Sequence, residues 1–127
     1  MLHLVCALVI VMGVVVAAGG CAYEVIRVDP LTVDALRRDV PVYRMADLSE
    51  KSYRVVRSVT AVSCAMKTWD PLPTPEDATD QLRVKAARLG ANGITNVTCE
   101  RPEGVSLAMT CWASLTCHGA AILLDAR

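Results

Sequence analysis

Four cysteines, Cys64, Cys99, Cys111 and Cys117, fall in the second half of this 127-residue chain. Oxidised in pairs, they would close the chain into loops and staple whatever elements carry them. Whether they are oxidised depends on where the chain goes, and its first twenty residues address that. Residues 1–20 contain no Asp, Glu, Lys or Arg, so the 13 basic and 13 acidic residues all lie downstream. Residues 4–18 form an almost unbroken apolar run, followed by Gly19, Gly20 and Cys21. Small residues after an apolar core mark a signal-peptidase site. Export leads to an oxidising compartment, where an even set of cysteines reads as a disulfide framework. Cys6 leaves with the leader and Cys21 follows it at once, so four cysteines remain for two disulfides. Residue spacing leaves all three connectivities open.

The end of the leader, Val16-Ala17-Ala18-Gly19-Gly20-Cys21, resembles a bacterial lipobox. That resemblance implies a thioether-linked diacylglycerol on Cys21, cleavage before it, and acylation of the new amino terminus, as with palmitate. Each buried CH₂ of such chains contributes about 0.8 kcal/mol to membrane binding. Ala22 rather than Asp follows the cysteine, which by the same resemblance favours the outer membrane of a bacterial envelope. The alternatives are an uncleaved anchor, since about 20 apolar residues can span a bilayer, and plain secretion.

Residues 21–40 carry charge, Pro30 and no clean period, and are read as a lipidated N-terminus and tether. Residues 41–44 suggest a short edge strand, and residues 46–51 a turn or helical turn. Residues 53–64 are rich in Val, Ser and Thr and predict the first strong strand. A Pro-rich loop follows Trp69. Thr74 then suits an N-cap and Pro75 the first helical position, with Glu76, Asp77 and Asp80 near the positive end of the helix. Ala78, Leu82, Ala86 and Leu89 share one helical face, and Gly90 is the expected stop. Residues 94–99 and 114–124 predict two more strands. The second ends in an apolar run without alternation, which suggests a central strand covered on both faces. The order is β-α-β-β with a weak strand in front. It makes a small α+β domain over residues 41–127, a three- to four-stranded sheet with one main helix. A core of this size benefits from disulfide staples.

Residues 56–124 resemble the Rcs stress-response outer-membrane lipoprotein family (RcsF-like). The segments that carry this are Val59-Thr60-Ala61-Val62-Ser63-Cys64 and Lys85-Ala86-Ala87-Arg88-Leu89-Gly90-Ala91-Asn92-Gly93-Ile94. They continue with Thr98-Cys99-Glu100, Cys111 and Cys117-His118-Gly119-Ala120-Ala121. The resemblance implies that Cys64 pairs with Cys111 and Cys99 with Cys117. It implies sensing of envelope stress rather than catalysis, with signalling to an inner-membrane regulator of a phosphorelay. It also implies binding to an outer-membrane β-barrel assembly protein. Arg57 and Ala61 stand where the family has glycines, and residues 22–40 lack the family's long Pro-rich, basic tether.

Other chemistry has thin support in the residues. A formal net charge of zero leaves no electrostatic footprint for nucleic acid. Cys99, Cys111, Cys117 and His118 could be written as zinc ligands, but no pair has the short spacing of a zinc knuckle. His118 is the only histidine after the leader, and no nucleophile motif accompanies it, so it reads as structural. Glu76, Asp77 and Asp80 read as helix-start residues. Trp69 and Trp112 read as core or rim, and as binding-surface candidates if exposed. Asn96-Val97-Thr98 matches a glycosylation triplet and is discounted, because it sits on a predicted strand and the lipobox resemblance implies a bacterial protein. The reading is a non-enzymatic signalling lipoprotein with no cofactor and no metal. The alternatives are a structural or scaffolding envelope lipoprotein without a signalling role, and a metal- or thiol-active periplasmic protein.

Overall fold

The computed structural model describes residues 28–102 and 111–126. The leader and Cys21 lie outside the described residues. Seven elements follow in chain order. They are α1 (Pro30–Asp39), β1 (Val42–Tyr43), α2 (Met45–Leu48), β2 (Tyr53–Ala65), α3 (Pro75–Arg88), β3 (Gly93–Glu100) and β4 (Ala113–Leu124).

Hydrophobic burial places α3 on one face of the sheet. Ala78, Leu82 and Ala86 point inward from α3 and meet Val59 and Ala61 of β2, Ile94 of β3, and Leu115, Cys117 and Ala121 of β4. Small side chains on both layers bring helix and sheet close, which a chain without Phe requires. The ends of α3 follow the sequence signals. The Thr74 hydroxyl accepts from the Asp77 amide at 3.2 Å, and Pro75 opens the first turn. At the other end Gly90 takes φ +75°, with Gly90 N donating to Ala87 O and Ala91 N to Ala86 O. These two bonds form a Schellman cap, for which glycine is the unstrained residue.

The sheet has four strands in the order β1-β3-β4-β2. β2 and β4 pair antiparallel, as do β3 and β4, while β1 pairs parallel with β3. The domain is α+β, as the sequence implies. β4 is central, but α3 covers only one of its faces, so Ala120 and Leu124 on the other face stay partly exposed. Only Ile122 on that far side is fully buried, beside Gly93 and the Tyr43 ring. Bulges interrupt β2 between Val55 and Arg57, and β3 between Thr95 and Thr98. The second bulge holds Asn96 at φ +54°, a conformation that Asn tolerates better than most residues.

The stretch read as a tether differs most from expectation. Residues 30–39 are helical. Asp29 caps α1 by accepting from the Thr32 amide at 3.0 Å, Pro30 opens it, and Arg37 and Arg38 fill its last turn. Leu36 packs against the core, and Val40 is 2% exposed within it. The packed unit therefore begins before residue 41. Its start signals, a capping side chain followed by proline, are of the same kind as those that identify α3, although no residue within the helix is fully buried.

Candidate functional site

Two disulfides join the strands. Cys64 bonds to Cys111 and Cys99 to Cys117, the pairing implied by the family resemblance. Cys99 and Cys117 face each other across β3 and β4 with Cα atoms 4.1 Å apart. Cys64 is the last residue but one of β2, and its partner Cys111 lies two residues before β4. In sequence the two loops interleave. All four cysteines are thus spent on each other and none remains to ligate zinc. Among the described residues no group of three or more His, Cys, Asp or Glu side chains could hold a metal ion.

His118 lies on the open face of the sheet, opposite Thr60 on one side and Thr98 on the other. Its Nδ1 is 2.9 Å from the Thr60 hydroxyl, and its Nε2 is 3.4 Å from a Glu100 carboxylate oxygen. With the proton on Nε2, the ring accepts from Thr60 and donates to Glu100. The row is a surface hydrogen-bond chain, with the His118 side chain 47% exposed. Two grooves among the described residues lie elsewhere. One is bordered by Tyr43, Ser52, Asn92 and Leu124, and the other by Arg37, Pro75, Thr79 and Val97.

Asp80 is not merely a helix-start residue. It is 8% exposed, and its carboxylate takes a two-pronged contact from Arg37 of α1, at 3.1 Å from Nε and 2.8 Å from a terminal nitrogen. Arg83, one turn along α3, also pairs with Asp80 and donates through Nε to the Val40 carbonyl at 3.3 Å. The Asp80 hydrogen bond and charge raise the Arg37 pKa further above its ordinary value. Glu76 and Asp77 do sit in the first turn of α3, as expected.

The tryptophans are not core. Trp69 is 78% exposed and Trp112 60%. Trp112 N donates to Ala65 O at 2.7 Å, which places it at the end of β2 beside the loop that carries Trp69. This grouping escapes sequence analysis because 42 residues separate the two rings, and only the β2–β4 pairing brings them to one end.

No protein-family model matches the chain, and no curated protein does. Among solved structures it is similar to a protein of unknown function from the DUF74 family of Pediococcus pentosaceus ATCC 25745. That likeness has a TM-score of 0.43 at 19% identity, covering 60% of this chain and 89% of that one.

Proposed function

We propose that this chain is an outer-membrane lipoprotein, held by lipid on Cys21, that senses envelope stress. It signals through protein–protein contacts to an inner-membrane regulator of a phosphorelay, and a β-barrel assembly protein of the outer membrane is its second partner. The observation that carries this reading is the interleaved pairing of Cys64 with Cys111 and Cys99 with Cys117 on a helix-backed sheet. It is supported by the leader, whose small residues before Cys21 suit lipid attachment. The Thr60–His118–Glu100 row lies on an open face rather than in a cleft, which suits a binding role rather than catalysis.

A deletion strain carrying a reporter of the phosphorelay tests it. The expected result is loss of reporter induction by an outer-membrane-damaging cationic peptide, restored by the wild-type chain and not by Cys64→Ser with Cys99→Ser. Unchanged induction after deletion would overturn the signalling role and leave a structural lipoprotein. Intact mass of the membrane-extracted protein checks the anchor separately: cleavage before Cys21 with three acyl chains is expected.

A further inference from the structure

Four large apolar side chains stand exposed at one end of the sheet, where β2 finishes and β4 begins. They are Met66, Trp69, Leu72 and Trp112, each more than half exposed. Exposed apolar residues scattered singly are ordinary, whereas a group with both of the chain's tryptophans marks a contact surface. The loop that presents them is fixed. The Asp70 carboxylate accepts from Met66 N at 3.0 Å and Lys67 N at 2.9 Å, and Asp70 N donates to Lys67 O. Two exposed cations flank the group. Lys67 Nζ lies 5.5 Å from the Trp69 ring centre, and Arg101 donates to Pro73 O at 2.9 Å.

The chain enters the domain toward this same end. Arg37 meets Asp80, and three residues on, the Val40 carbonyl meets Arg83, so α1 runs in the same direction as α3. Since α3 starts beside the end of β2, the start of α1 points that way too, with Leu31 83% exposed in its first turn. Only residues 22–27 separate Cys21 from Val28, a span of at most about 24 Å when fully extended. A lipid on Cys21 would therefore hold the domain against the bilayer with this end nearest.

We infer that this end is a lipid-contact face. Trp69, Trp112, Met66 and Leu72 enter the boundary between headgroups and acyl chains, and Lys67 and Arg101 meet anionic headgroups. Tryptophan suits that depth because its body is apolar while its ring N–H keeps a polar partner. The inference rests on the reading of Cys21 as a lipid anchor.

Because these are the chain's two tryptophans, its indole fluorescence reports this face and nothing else. The full processed protein is placed in phosphatidylethanolamine–phosphatidylglycerol vesicles whose acyl chains are brominated near the carbonyl, after its mass has been measured. The expected result for the lipidated protein is a blue-shifted emission, quenched by bromine and shielded from aqueous iodide. A lipidated protein whose emission stays at the aqueous position and is quenched by iodide overturns the lipid face and leaves the anchor standing. A mass without lipid overturns the anchor. The face is then decided by adding the same vesicles to the full chain carrying Cys21→Ser: bromine quenching supports it, and unchanged emission overturns it. Shielding in native outer-membrane fragments but not in pure lipid also overturns it, in favour of a protein partner.

Discussion

At the scale of single residues, Asp80 has the largest expected effect. Its carboxylate is nearly out of water and holds two guanidinium groups. Removing it leaves Arg83, 14% exposed, without its carboxylate partner, and breaking a buried pair from one side costs about 3 kcal/mol or more. Asp80→Ala should lower the free energy of unfolding, read from a urea titration, by that amount. Arg37→Ala, at a side chain 47% exposed, should cost under about 1 kcal/mol. Equal losses would show that the α1 contact, not the Arg83 contact, dominates. His118→Ala removes two surface hydrogen bonds, so it should cost under about 1 kcal/mol and leave reporter induction intact. A fully folded H118A protein that fails to signal would place His118 in the partner interface. Asp80 shows what a sequence hides at this scale. Its position in the second turn of α3 suggests a dipole contact, but one of its two partners, Arg37, lies 43 residues away on a helix with no fully buried residue.

Among the elements, α3 and the three long strands were legible in the sequence, and α1 was not. Thr74-Pro75 and Gly90 bound α3 from sequence because caps are local chemistry. That β4 is central was legible from its apolar end, but its covering was not, since one helix layer serves one face. α1 was missed because it docks through Leu36, Val40 and an ion pair rather than through a buried stripe. It also responds to pH. The side-chain and backbone hydrogen bonds from Thr32 hold the Asp29 carboxyl below its usual pKa of 3.8. A depressed folded-state pKa stabilises the cap above the unfolded value, and that stabilisation is lost as pH falls through the folded one. Amide exchange in the first turn of α1 should therefore quicken as pH is lowered through and below 3.8, after correction for intrinsic rates, while exchange in β4 should not. Asp29→Asn should remove the difference. Uniform quickening across both elements would mean that acid acts on the whole fold and not on this cap.

For the whole molecule, the disulfides tie together strands that hydrogen bonds already join, so their main effect falls on the unfolded chain. By loop entropy, the bridge of sequence separation 47 contributes about 4 kcal/mol and that of separation 18 about 3 kcal/mol. The loops overlap between residues 99 and 111, so closing one already restricts the other. Losing both should therefore cost more than the two single losses added together, because each single variant keeps the bridge that still restricts the other loop. Three proteins test this: Cys64→Ala with Cys111→Ala, Cys99→Ala with Cys117→Ala, and the fourfold variant, each unfolded in urea. Circular dichroism of α3 is the suitable probe, because Trp69 and Trp112 lie on the surface and report little of the core. The first pair should be the more destabilising if chain entropy governs. The reverse order would follow if the core governs, since Cys117 is fully buried against α3 and its replacement removes packing as well as the bond. That outcome would make the Cys99–Cys117 bridge part of the hydrophobic core rather than a staple laid across it.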